Sequence, residues 1–355
     1  MGLFCHYHPP KPKDDALYNQ KTVSECTIEE LKKLRREPKY TTGQKVIQII
    51  LFLIFGIAKA VLAFLFALLV GPIFILLVSI WNFAGKPEPW RNKLKAFWAA
   101  CTRIFLFLLG FTRIRYHGHI DPDSRFLIAN HTCFFDGWLF LPFGIRPLGK
   151  KELFNLPVIH EMNDIYQGIP VDREKSTGVT KVLIDAASDR NSPLISIMPE
   201  GASTSGDYMF RFHLGAFLSD LPVETAAIRY TLWGTSRSIS HISFFHHDPY
   251  HWIVFLGIPA MSVDIYFLGP MNLKTDGAND PRQFADAAAL RIGNFLGVRV
   301  LSLTSSSIFK KSNDKSKQIN PNTNNDNKQN ETNSDNKENE TKKEEQNEQD
   351  KTKIE

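Results

Sequence analysis

Residues 46 to 81, VIQIILFLIFGIAKAVLAFLFALLVGPIFILLVSIW, form the longest apolar run in the chain, with Lys59 as its one charged position. Roughly 20 apolar residues suffice to cross a bilayer as a helix, so the run is too long for one upright span and slightly short for two. Gly56 to Lys59 and Gly71-Pro72 are natural places for a break. Basic residues flank both ends: Lys32, Lys33, Arg35, Arg36 and Lys39 before it, Lys86, Arg91, Lys93 and Lys95 after it. The positive-inside tendency then puts both ends on the cytosolic side. The pattern predicts a membrane-embedded helical hairpin dipping into the cytosolic leaflet, with one tilted span plus an interfacial helix as the alternative. A further apolar stretch, 96 to 111, is interrupted by Arg103 and reads as an interfacial helix.

From 112 to 304 the pattern changes to short apolar runs alternating with amphipathic ones. RFLIA (125–129), LISIM (194–198), VETAAIRY (223–230) and SVDIYFL (262–268) read as strands. TGVTKVLIDAASDR (177–190) and PRQFADAAALRIGNFL (281–296) read as helices, the second with Pro281 in an allowed first-turn position. Alternation of this kind predicts an α/β domain, a mixed sheet flanked by helices. Before the apolar run lies a basic N-terminal segment, 1–45. After the domain, residues 305–355 collapse to Asn, Lys, Glu, Gln, Asp, Ser and Thr and read as a disordered polar tail.

Composition narrows the function classes. A net charge of +5 over 355 residues is far from the balance of a nucleic-acid binder. Cys5, Cys26, Cys101 and Cys133 show no paired spacing, which excludes a disulfide framework and a zinc ribbon and suits a reducing compartment. The last five residues, KTKIE, resemble the dilysine signal that returns membrane proteins to the endoplasmic reticulum through coat-protein recognition. That signal requires a cytosolic tail, in agreement with the flanking charge. The sequons at Asn330 and Asn339 would be usable only in a lumenal tail.

Candidate chemistry begins at IANHTCFFDGW (128–138), where His131 precedes Asp136 by five positions at the end of a predicted strand. Asp136 can reach back to the imidazole and fix its tautomer, which makes His131 a candidate general base. Cys133 is an alternative nucleophile, although direct transfer to a bound acceptor is the simpler scheme. Three later segments add anion-binding chemistry. GIPVDRE (168–174) offers Arg173, suited to an anionic head group. MPEGASTSG (198–206) is a strand end followed by small hydroxyl residues whose amides could hold a phosphate. The strand led by Pro222 carries Arg229.

In order, His131-x4-Asp136, Gly168 to Arg173, Pro199-Glu200-Gly201 and Pro222-Val223 resemble the four motifs of the glycerolipid acyltransferases, the lysophosphatidic acid acyltransferase superfamily, over roughly residues 110 to 270. The GAF of 215–217 and the AIRY of 227–230 resemble the branch of lysophosphatidylcholine acyltransferases and microsomal glycerol-3-phosphate acyltransferases. The resemblance implies an acyl-CoA co-substrate, no further cofactor and no metal, and a lysophospholipid acceptor, with glycerol 3-phosphate as the alternative. It gives His131 and Asp136 the catalytic roles. Arg173, Glu200, Gly201 and Ser203 would hold the acceptor's phosphate and glycerol end. Many relatives carry Thr directly after Glu-Gly, where this chain has Ala202 followed by Ser203. No EF-hand loop is present in the tail, so calcium control is not expected.

Two other function classes compete. The HISFFHHDPYH of 241–251 superficially resembles a histidine box of membrane di-iron enzymes, but several boxes and two pairs of spans would be needed. A catalytically silent lipid- or partner-binding relative is the other; intact His131 and Asp136 speak against it.

Overall fold

The computed structural model describes residues 15–34, 40–171, 179–232 and 250–307. The chain divides into a unit ending at Ser305 and a second of residues 306–355, of which only 306 and 307 are described. Arg173, His241, His246, His247, the sequons and the KTKIE end all lie outside the described residues.

Helix α1 (Ile28–Leu34) is followed by α2 (Thr42–Leu51), which starts at a capping box. The Thr41 hydroxyl accepts from the Gln44 amide, and the Gln44 side chain accepts from the Thr41 amide. α2 continues through a π-helical turn at Phe52–Gly56 into α3 (Ile57–Phe83). The result is one continuous helix of 42 residues, Thr42–Phe83. At about 1.5 Å per residue it is roughly 63 Å long.

The expected fold-back within 46–81 is therefore absent. Pro72 removes one helical hydrogen bond, yet the helix continues through it. Packing is what holds it: a Cβ on Gly71 would come within 3.3 Å of Val158 Cγ2, so the helix lies tight against its neighbour at this point. The reversal falls later, at residues 84–87, where Gly85 and Lys86 take φ of 80° and 58°. Helix α4 (Glu88–Leu108) then returns alongside α3, and the stretch expected to be a separate interfacial helix is its second half.

Strand β1 (Phe111–His117) follows directly. Next come β2 (Phe126–Ala129), a 3-10 segment at Asp136–Phe143, β3 (Arg146–Lys150), α5 (Ile159–Tyr166), β4 (Ile169–Val171), α6 (Val179–Ser188) and β5 (Ile195–Ile197). The chain continues with β6 (Tyr208–Met209), β7 (Val223–Leu232), α7 (Tyr250–Gly257), β8 (Met261–Met271), α8 (Leu273–Asp276), α9 (Pro281–Leu296) and β9 (Arg299–Val300). Seven strands form one mixed sheet in the order β1-β8-β7-β2-β5-β3-β4. Among the described residues, only the β7–β8 pairing of this sheet is antiparallel.

β2 lies between β7 and β5 and is buried on both faces, which is why its sequence reads as an unbroken apolar run. Phe126 and Ile128 join a core closed by Leu183 and Ala187 of α6 and by Phe284, Ala285 and Ala288 of α9. Leu127 and Ala129 face the other way, into a core that includes Ala63 of α3, Leu106 of α4 and Phe255 of α7. A third cluster joins Phe74, Val78 and Trp81 of α3 and Trp98 of α4 to Met162, Ile165 and Tyr166 of α5. The apolar helix thus rests on the sheet domain along its length. The Lys59 ammonium donates to the Ile258 carbonyl, and Lys86 pairs with Asp164 at 3.0 Å.

Candidate active site

Parallel strands deliver their C-terminal ends to one edge of a sheet, which is where open α/β sheets bind ligands. β2 and its neighbour β5 both end there. The chain leaving β2 carries Asn130 and His131; the chain leaving β5 carries Pro199, Glu200 and Gly201. Asn130 extends the β2–β7 pairing by one side chain, donating to the Ile228 carbonyl at 3.0 Å and accepting from its amide at 2.7 Å. His131 therefore leaves β2 from a fixed point.

Asp136 is fully buried, with one oxygen directed at this loop and the other at β7. Its Oδ2 accepts from Nδ1 of His131 at 2.9 Å and from the amides of Thr132 at 2.7 Å and Cys133 at 2.8 Å. Its Oδ1 accepts from the Tyr230 hydroxyl. A carboxylate can only accept, so the proton of His131 sits on Nδ1 and the lone pair on Nε2. The His131 side chain is 20% exposed against 0% for Asp136. The pair thus has one accessible end, the imidazole.

The loop after β5 clamps the backbone of the same histidine. Glu200 Oε1 accepts from the His131 amide at 2.7 Å and Oε2 from the Phe210 amide at 2.9 Å. The His131 carbonyl in turn accepts from the Thr204 amide at 2.8 Å. Glu200 is fully buried, and burial pushes its carboxyl up to about 8 although both amides favour the charged form. The resemblance implies that Glu200 touches the acceptor. Its geometry differs: with both oxygens on backbone amides and no exposed surface, Glu200 holds the His131 loop in place.

Gly201 takes φ of 73°, and a Cβ there would lie 2.9 Å from His213 Nε2 and 3.0 Å from Ser305 Oγ. His213 is itself bonded to this turn, its amide donating to the Pro199 carbonyl at 2.8 Å. Gly201→Ala combines a strained backbone with a contact, and is expected to cost more than ~1 kcal/mol of stability. A thermal unfolding curve of the variant in detergent, against wild type, reads this directly.

Other candidates separate. Ser203 is half-buried on the loop beside Thr204. Arg229 points away from the pair: its guanidinium donates to the Phe295 carbonyl at 3.1 Å and lies over the rings of Tyr266 and Phe295. Cys133 is fully buried, and burial together with the Asp136 charge pushes its thiol well above its ordinary range. It is therefore a poor nucleophile. Tyr230 is the residue that motif reading missed. A tyrosine on the buried face of an apolar strand needs a partner for its hydroxyl, and that requirement was the available signal.

Residues 113–229 match the Acyltransferase family model. The lysophospholipid acyltransferase LPCAT4 of Homo sapiens is 26% identical over 209 residues, covering 56% of this chain and 39% of that protein. The lysophospholipid acyltransferase LPEAT2 of Arabidopsis thaliana is 27% identical over 174 residues, covering 46% of this chain and 32% of that protein. Among solved structures, the 1-acyl-sn-glycerophosphate acyltransferase PlsC from Thermotoga maritima aligns with a TM-score of 0.48 at 18% identity, over 67% of this chain and 96% of that one. The matched stretch spans well under half the length of these two curated relatives. Over residues 113–229 the chain is thus similar to the Acyltransferase family, and lysophospholipid acyltransferases are among the proteins it resembles.

Proposed function

We propose that this chain transfers an acyl group from acyl-CoA to the free hydroxyl of a lysophospholipid at a membrane surface. The observation that carries the reading is the Nδ1 bond from His131 to the buried Asp136, which leaves Nε2 as the base. Nε2 takes the proton of the acceptor hydroxyl as its oxygen bonds to the thioester carbonyl carbon. The carbon–sulfur bond then breaks, and the imidazolium returns the proton to the departing sulfur. Asp136 stabilises the imidazolium in between. Arg173 and Ser203 are assigned to the acceptor's phosphate end, and Glu200 and Gly201 to holding the loop.

The membrane part of the reading is supported by the 42-residue apolar helix and its exposed side chains, among them Phe64, Leu68, Leu69 and Leu76. We place the site on the cytosolic face of the membrane, on the strength of the flanking charge. The test is acyl transfer by membranes carrying the chain, with labelled acyl-CoA. The acceptors, tried separately, are lysophosphatidate, lysophosphatidylcholine, lysophosphatidylethanolamine and glycerol 3-phosphate. Label is expected in the diacyl product of at least one lysolipid. Incorporation no higher than in chain-free membranes, for every acceptor, would sink the reading. Incorporation into glycerol 3-phosphate alone would replace the acceptor.

A further inference from the structure

Charge along this chain is segregated. Residues 40 to 118 contain nine basic residues, Lys45, Lys59, Lys86, Arg91, Lys93, Lys95, Arg103, Arg113 and Arg115, and a single acid, Glu88. With the whole chain at +5, the residues outside this segment are net acidic. The same segment carries most of the exposed large apolar side chains, from Val46 to Phe83 on α2 and α3 and at Trp90, Ile104 and Phe107 on α4. Cations and apolar side chains share faces: Arg103 is exposed one turn before Phe107 and next to Ile104, which are also exposed.

Some of these cations already have partners. Arg91 pairs with Glu88, Lys86 with Asp164, and Arg115 with Asp264, while Lys59 donates to the Ile258 carbonyl. Lys45, Lys93, Arg103 and Arg113 are exposed and form no ion pair with a described residue. A cation beside an exposed apolar surface, unneutralised by its own chain, is suited to a partner that is apolar inside and anionic at its surface.

The position of α3 fixes how that partner is met. A helix that crossed a bilayer and left the domain would carry its two ends to opposite sides. Here Lys59, near one end, bonds to the loop after α7, and Lys86, just past the other, pairs with α5. Between them Gly71 lies against Val158. Both ends stay with one sheet domain, so the exposed stripe of α3 and the cations at either end address the same membrane surface.

We infer that α2, α3, α4 and the start of β1 form a seat for one face of a bilayer bearing anionic lipids, with Lys45, Lys93, Arg103 and Arg113 on its headgroups. The inference rests on the membrane part of the reading above and not on the chemistry at His131. Each cation at such a surface raises partitioning roughly fivefold, and salt screens the effect.

The test is flotation of the full-length chain made by cell-free synthesis with liposomes of phosphatidylcholine alone or with phosphatidylserine. Capture is expected to favour the phosphatidylserine liposomes and to lose that preference in high salt. The variant Lys45→Gln/Lys93→Gln/Arg103→Gln/Arg113→Gln removes four charges and keeps helix propensity at its three helical positions. Its preference is expected to fall on the order of a hundredfold or more, with capture by phosphatidylcholine retained. Equal capture of wild type by both liposomes would overturn the inference and leave the membrane reading standing. Capture by neither would overturn both, whatever the acyl-transfer assay shows. Retention of wild type on immobilised heparin, with no liposome preference, would assign the charge to a soluble polyanion and overturn it too.

Discussion

Replacing His131 with Ala is expected to lower acyl transfer by about two to four orders of magnitude while the chain stays folded, because a general base contributes about that much. The imidazole is the accessible end of its pair, and no backbone contact of residue 131 depends on it. Asp136→Asn is the sharper companion. Asn can keep one oxygen where Oδ2 now meets the amides of Thr132 and Cys133, with its NH2 toward Tyr230, whose hydroxyl can turn and accept. The loop is therefore expected to hold, while the negative charge facing Nδ1 is lost and the imidazolium goes unstabilised. Rates measured with saturating acyl-CoA, beside a melting curve for each variant, test this. Rates within a few-fold of wild type for both variants would remove the base from His131.

Glu200→Gln is expected to act without touching substrate. Gln offers one oxygen where Glu200 offers two, so either the His131 or the Phe210 amide faces an NH2 group in a buried site. An orphaned buried amide costs about 1–3 kcal/mol, and a shift of the His131 peptide by an ångström costs on the order of a hundredfold in rate. The wild-type carboxyl also makes stability depend on pH. Unfolded, a Glu titrates near 4.5; here it keeps its proton to about 8. Between those values the unfolded chain releases a proton that the folded chain retains, so stability falls as pH rises and the loss is complete above about 8. The amount is on the order of 5 kcal/mol. Urea unfolding in detergent across this window should show the slope in wild type and its loss in Glu200→Gln. A flat wild-type profile would mean that the two amides outweigh burial.

The sequence made the strands that line the site legible because β2 and β5 are short apolar runs and β7 opens just after Pro222 with a largely buried run. The His131–Asp136 contact was legible as spacing. What spacing could not give is which contacts are made by side chains and which by backbone: Glu200 looks like a ligand in a motif and serves as a clamp in the fold. Tyr230 was hidden because it is brought to Asp136 by the pairing of β7 with β2, across 94 positions of chain. The misplaced hairpin has a similar cause. Gly71-Pro72 is a local break signal, and the contact with Val158 that overrides it is long-range.

The edge strand β1 has a consequence for how this chain is made. Among the described strands it pairs only with β8, and Arg115 must wait 149 residues for Asp264. During synthesis the apolar α3 and α4 therefore emerge long before the sheet that supports them can close. Such late, non-local closure folds slowly and leaves apolar surface uncovered meanwhile. A nascent chain stalled before β8 should thus be captured by chaperones or by lipid, and release into the native fold should come only once residue 271 has left the ribosome.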